Sequence, residues 1–260
     1  MENNLIKAKS FGCLNSESSF IEDVSISFDT IQHSTDSKIK ILVQIEPPEI
    51  YNTTEQIINN HNNFDLILSW NEDVLQKCPN SKEFIFGTCW INFENFKPDK
   101  KNEISFIMSN KSYAPGHRFR HEIWSFLNEK NNLNGFSINK IQTPPRVDSK
   151  NILFENAKFH IVVENTCRKN WITEKIIDCF ATKTIPIYCG CPNIGDFFNE
   201  KGIIVFNTID ELNSILNNLS SEIYDNMTDI LEENYEKSKK YYDFHSRVED
   251  EINNIILSKK

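Results

Sequence analysis

The sequence has 260 residues, 39% hydrophobic and 12% aromatic, enough to build a substantial core as one large domain or two of ordinary size. Its formal net charge of −9 excludes a broad nucleic-acid-binding or anionic-membrane surface, so any anion site must be a local cluster of cations. No apolar run approaches the ~20 residues a membrane span needs, and residues 1–5 (MENNL) lack the basic start and apolar core of a signal peptide, so a cytoplasmic chain without a span is expected.

After a polar N-terminal segment, residues 40–45 (KILVQI) read as a buried strand that stops at Glu46, where Pro47 and Pro48 forbid further ladder pairing. A helix is expected over 55–62, a second strand over 64–70 (FDLILSW) and a third over 83–87 (EFIFG). Strand, helix, strand implies a parallel α/β half. The charged, proline-started stretch 98–102 (PDKKN) is the expected linker.

A new strand follows at 103–108 (EISFIM), then a loop with Pro115 and Gly116, a helix around 120–129 and a weaker strand at 137–141. Thr143, Pro144 and Pro145 break the chain before a buried strand at 159–163 (FHIVV). A helix over about 173–182, a strand at 184–188 (TIPIY) and a short strand at 202–206 complete a second α/β domain of Rossmann type. Only seven glycines occur in the chain, so phosphates would be held by side chains and helix N-termini rather than by a glycine-rich loop. From Ile209 the chain is helical and strongly charged, and these helices are expected to pack back on the domains. The seven cysteines show no disulfide-framework or zinc spacing and read as free, mostly buried thiols.

Ligands of open α/β sheets collect beyond the carboxyl ends of the strands, where Glu164 and Asn165 follow Val163. Thr173 can cap the next helix, with Glu174 and Lys175 in its first turn; a phosphate there would meet both the helix end and Lys175. The same residues also serve as a plain cap with a solvated lysine beside it. A second cation source is the run 117–121 (HRFRH), placed at a loop-to-helix junction, where an arginine can grip phosphate with two prongs or simply pair with a neighbouring glutamate.

Three pieces, residues 163–167 (VENTC), 171–176 (WITEKI) and 181–190 (ATKTIPIYCG), follow one another over some thirty residues. In order and spacing they resemble the donor-binding signature of the α-1,3/4-fucosyltransferases, glycosyltransferase family ten, which runs F-E-N-S, then Y-[IV]-T-E-K, then A-G-[TS]-[IV]-P-[IV] and a glycine. Weaker similarity extends through residues 106–110 (FIMSN) and the Arg120, Trp124 and Leu127 pattern back to residues 45–48 (IEPP).

The resemblance implies an α/β architecture of GT-B type, with two Rossmann-like domains facing across a cleft. The boundaries expected are 1–100 for the acceptor side, 101–245 for the donor-binding domain and 246–260 for a helical tail. It implies inverting transfer of fucose from GDP-fucose to a glycan hydroxyl, α-1,3-type, with no metal cofactor. By motif, Glu174 would bind the ribose hydroxyls and Lys175 and Arg120 the diphosphate, with Arg118 as the alternative arginine. Trp171, in place of the family's tyrosine, would line the nucleotide pocket; Asn165 and Glu164 would border the sugar, Ser109 would help at the phosphate end, and Thr173 would stand at the helix cap. Glu46 would be the general base, with Glu49 its nearest competitor. The rivals are a GT-B transferase of another GDP- or UDP-sugar and a catalytically silent nucleotide- or carbohydrate-binding protein. Lys183 stands where the family has glycine.

Overall fold

The computed structural model describes residues 19–21, 24–130, 133–143 and 149–258. They divide into two units: one holds the chain up to Phe86 together with the stretch from Asp243 onward, and the other runs Gly87–Tyr242. The division differs from the expected one. The stretch 98–102 is no linker, because Asp99 and Lys101 donate backbone hydrogen bonds to the carbonyls of Glu155 and Asn156 inside the second unit. Between them Lys100 donates to the carbonyls of Phe154 and Ala157 and to the Thr184 hydroxyl, at 2.7, 2.9 and 2.6 Å. Burial lowers its pKa to about 7.

The first unit is built on β1 (Ser19–Ile21), β2 (Val24–Phe28), β3 (Ile39–Val43), β4 (Leu66–Ser69) and β5 (Ser81–Glu83), in that spatial order. Strands β2 to β5 run parallel, and β1 pairs antiparallel with β2. Helices α1 (Thr54–Asn60) and α2 (Glu72–Lys77) provide the crossovers around β4. The last strand pairs over 81–83, ahead of the expected 83–87; Phe84 still donates its N–H to the Ser69 carbonyl, and Phe84 and Phe86 pack in the core.

The second unit carries β6 (Lys101–Ser109), α3 (Pro115–Asn128), β7 (Ser137–Thr143), α4 (Asn151–Phe154), β8 (Ala157–Val163), α5 (Glu174–Ala181), β9 (Ile185–Cys189) and β10 (Ile204–Val205). Its sheet is parallel, in the order β10-β9-β8-β6-β7. Strands buried on both faces need near-continuous apolar runs, which β8 and β9 supply. Helices α6 (Ile209–Asn218), α7 (Ser221–Asn226) and α8 (Thr228–Ser238) pack back on this sheet through Leu212, Leu216, Tyr224 and Leu231. Lys183, after α5, has φ +53°, the left-handed conformation that glycine adopts without cost.

The final helix α9 (Phe244–Ser258) belongs to the first unit, not to a separate tail, since Phe244, Val248 and Ile252 complete its core. The Phe244 ring meets Phe28, Phe84 and Phe86 with centroids 6.3, 5.8 and 5.1 Å apart. Truncation by Phe244→Ala is expected to destabilise this unit by about 3 kcal/mol, read from chemical denaturation of the whole chain.

Pro144 and Pro145, the expected chain break, lie outside the described residues, as does Cys13. The other six cysteines are free thiols, with Cys78, Cys179, Cys189 and Cys191 buried. Among the described residues no helix is long and apolar enough to cross a membrane.

Candidate functional site

In the second unit the chain leaves β6 toward β7 on one side and returns through β8 to build β9 and β10 on the other. The loops after β6 and β8 therefore diverge at the carboxyl edge of the sheet, the switch point where such folds take ligands. Helix α3 follows the first loop and α5 the second, so two helix N-termini meet at one place.

Gly116 makes that meeting possible. It lies in the first turn of α3, and its backbone N–H donates to the Asn165 carbonyl at 2.9 Å. A Cβ built on it would lie 1.8 Å from the Glu164 carbonyl oxygen. Gly190, after β9, crowds the other side, where an added Cβ would lie 2.6 Å from the Glu164 side chain. One turn further along α3, Arg120 donates from Nε to the Val163 carbonyl at 3.0 Å and from Nη2 to Asn165 Oδ1 at 2.5 Å. Burial lowers the guanidinium's pKa, with Glu164 and Glu174 opposing that. Arg118 points elsewhere, exposed and donating to the carbonyls of Ser112 and Tyr113. The arginine run sits inside α3, which starts at Pro115 rather than near Arg120 because proline suits the first helical position.

The second half of the site is the start of α5. Thr173 caps the helix by accepting from the Lys175 backbone N–H at 3.3 Å, and its hydroxyl donates to Glu164 Oε2 at 2.8 Å. Lys175 Nζ lies 3.3 Å from Glu164 Oε2 and 3.4 Å from Glu174 Oε1. Burial pushes the Glu174 carboxyl up, but Lys175 and Lys150 more than offset it and hold the pKa at about 2. Lys150, just before α4, lies 3.6 Å from Glu174 Oε1 and 3.1 Å from Asp178 Oδ2. The cluster thus balances Arg120, Lys150 and Lys175 against Glu164, Glu174 and Asp178. An entering anion would compete with the carboxylates for Lys175.

Six of the sequence-predicted residues come together here: Arg120, Glu164, Asn165, Thr173, Glu174 and Lys175. Ser109 ends β6, the strand neighbouring β8. Trp171 is 1% exposed, so its ring packs inside the protein and offers no open face. The loop around it is fixed by Asn170, at φ +62°, whose N–H donates to Asn193 Oδ1 while Asn193 Nδ2 donates back to Asn170 Oδ1, at 2.9 and 2.7 Å. Lys150 and Asp178 escaped the sequence reading, which took Gly116 only as part of a loop. The four-residue step from Glu174 to Asp178 on a helix, and a glycine opening the helix that bears Arg120, were the available signals.

Glu46 lies in the first unit, three residues past the end of β3. Asp29, at φ +51° after β2, clamps that turn: its Oδ1 accepts from the N–H groups of Ile45 and Glu46 at 2.7 and 3.1 Å. Burial raises the Asp29 pKa to about 7, and Glu46 adds to the rise against the lowering effect of these two bonds. Pro47 accepts from the N–H groups of Ile50 and Tyr51, which turns the chain after Glu46.

His117, in the first turn of α3, is held neutral: burial first, then Arg120, Lys111, Lys175 and His121, lower its pKa to about 4. An unfolded histidine takes up its proton near pH 6.5, and this folded one only near 4, so stability present above pH 6.5 is lost as the pH falls through that window. Thermal melts from pH 7 to 4 are expected to show a steeper loss for the parent than for His117→Asn, which has no such proton to refuse.

Among the described residues no group of three His, Cys, Asp or Glu side chains is placed to hold a metal ion. Residues 97–252, more than half of the chain, match the family described as Glycosyltransferase family 10 (fucosyltransferase) C-term. The Helicobacter pylori Alpha-(1,3)-fucosyltransferase FucT is 31% identical over 116 residues, 45% of this chain and 23% of that protein. The chain therefore matches about a quarter of that relative's length. The fold is similar to the crystal structure of an alpha1,3-fucosyltransferase with GDP-fucose, at TM-score 0.52 and 20% identity over 86% of this chain and 77% of the other. A structure of alpha1,3-fucosyltransferase with GDP gives TM-score 0.52 and 18% identity over 88% and 78%.

Proposed function

Since the chain belongs to glycosyltransferase family 10, the fucosyltransferases, we propose that it transfers fucose from GDP-fucose to a hydroxyl of a glycan acceptor, with inversion, in an α-1,3-type linkage and without a metal cofactor. The observation that carries this reading is the charged first turn of α5, where an ionised Glu174 and the Lys175 ammonium stand together at the helix N-terminus, at the sheet's switch point.

In this reading Glu174 accepts from the ribose hydroxyls, while Lys175 turns from Glu164 toward the diphosphate. Arg120 holds the Val163 carbonyl with Nε and Asn165 with Nη2, and faces the phosphates with the rest of its guanidinium. Ser109 adds a hydroxyl at the phosphate end, Thr173 and Glu164 hold the helix start, and Trp171 packs beneath the loop. Glu46 takes the proton of the acceptor hydroxyl as the sugar passes through an oxocarbenium-like state. The leaving diphosphate is neutralised by Arg120 and Lys175, the work that a divalent cation does elsewhere.

Thermal stabilisation against a panel of GDP- and UDP-sugars in EDTA tests the reading. GDP-fucose at 100 times its dissociation constant should add roughly 2.7 kcal/mol of stability. No response to any guanine nucleotide would sink the GDP-sugar reading, a response only with Mn²⁺ the metal-free one, and a stronger response to a different GDP-sugar the choice of fucose. NMR of the glycan product settles inversion and linkage.

A further inference from the structure

Glu174 and Asp178 stand one helical turn apart on α5, both buried, the latter with no side-chain exposure. Two like charges at that spacing repel, and more strongly out of water. Lys150 sits between them, its Nζ 3.1 Å from Asp178 Oδ2 and 3.6 Å from Glu174 Oε1. The Trp90 ring covers this ammonium, with its centroid 4.3 Å away. Trp90 is itself held by Asp178, whose Oδ1 accepts from the Trp90 backbone N–H at 2.7 Å. Lysine, indole and aspartate thus form a closed bracket against the side of α5.

We propose that Lys150 is a positioning residue of the donor site, a fixed counter-ion that holds the Glu174 carboxylate for the ribose hydroxyls of the nucleotide sugar. The inference rests on the reading of Glu174 as the ribose ligand. Its argument is a division of labour between two lysines. Both ammonium groups approach the same oxygen, Glu174 Oε1, at 3.4 and 3.6 Å. Lys175 lies in the first turn at the open end of the helix and is the one that an incoming diphosphate draws away. Lys150 cannot follow, because Asp178 binds it and Trp90 covers it. When Lys175 turns to phosphate, Lys150 remains to compensate the buried carboxylate and to keep Oε1 occupied, so that the other oxygen meets the ligand.

Calorimetric titration with GDP-fucose in EDTA at pH 7 tests the assignment through a double-mutant cycle. Lys150→Met alone strands the buried Asp178 charge, so the variant to use is Lys150→Met with Asp178→Asn, in which the amide oxygen can still accept from the Trp90 N–H. This pair of changes is expected to weaken GDP-fucose binding by about tenfold in the parent and by less than about twofold in an Glu174→Gln background, because its effect runs through that carboxylate. The loss should deepen as the pH is lowered from 7 to 5. The charged groups facing Glu174 are then Lys175 and Arg120, with Glu164 opposing them, and with the Lys150 ammonium gone from Oε1 its protonation is resisted less. Unchanged affinity in the variant, or an equal loss in both backgrounds, would overturn the role of Lys150 while leaving the proposed function standing. A parent chain that binds no guanine nucleotide would overturn both.

Discussion

Glu46→Gln is expected to slow transfer by about 10³-fold while leaving GDP-fucose binding within about twofold of the parent, because a general base contributes ~10²–10⁴ to such a rate. The substitution keeps the shape of the side chain and removes only its capacity to accept a proton. The turn that presents it stays in place, since Asp29 grips the backbone N–H groups of Ile45 and Glu46 and not the Glu46 side chain. Single-turnover transfer measured beside calorimetric titration of the donor separates the two effects. Normal transfer by Glu46→Gln together with loss in Glu49→Gln would move the base three residues along the turn. Loss of donor binding in Glu46→Gln would show instead that the carboxylate supports the nucleotide site.

The second large effect is expected at Gly116→Ala. The added methyl would stand 1.8 Å from the Glu164 carbonyl oxygen, a backbone atom held in turn because the Glu164 N–H donates to the Cys189 carbonyl at 2.8 Å. No rotamer relieves a Cβ contact, so α3 must withdraw from the loop after β8. That costs the Gly116 bond to Asn165 and displaces Arg120 from Val163 and Asn165. A stability loss of about 4 kcal/mol is expected, in the range where a specific steric mechanism is required. Whatever fraction remains folded should bind GDP-fucose at least ~10²-fold more weakly, since an ångström of misplacement is enough for that. An alanine variant with the parent's melting temperature and donor affinity would contradict the close approach of α3 to this loop.

The elements of the second unit were readable because a parallel sheet covered on both faces writes itself as apolar runs; FHIVV and TIPIY need no periodicity analysis to be seen. Strand β2 escaped notice because Ser25 and Ser27 alternate with its apolar residues and suggest a polar segment, although both serines are buried. Ser27 donates to the Gln32 carbonyl and Ser25 accepts from the Ser34 N–H, which is how they are satisfied in the core. Charge misled at 98–102 in the same way: two adjacent lysines suggested a solvated linker, but Lys100 is spent on two carbonyls and a hydroxyl in the interior.

For the site, the cap of α5 and its first turn were legible because capping and charge act over three residues. The Lys150 contact spans 24 residues of sequence and the Trp90 contact 88, and nothing local in either stretch announces the meeting. Trp171 shows the opposite limit. Its place in a motif suggested a ligand wall, and its burial beside the Asn170 to Asn193 clamp is something only the folded loop reveals.

The return of α9 to the first unit bears on how this chain reaches its native state. Everything the second unit needs lies between Gly87 and Tyr242, so it can close on contacts internal to one continuous stretch. The first unit cannot: the strands up to Glu83 wait for Phe244, Val248 and Ile252, some 160 residues later. During synthesis its parallel sheet leaves the ribosome with one apolar face still uncovered, and non-local closure of that kind is slow and exposed to aggregation. The middle of the chain is therefore expected to fold first, and the N-terminal sheet to be the part for which holding by a chaperone matters most.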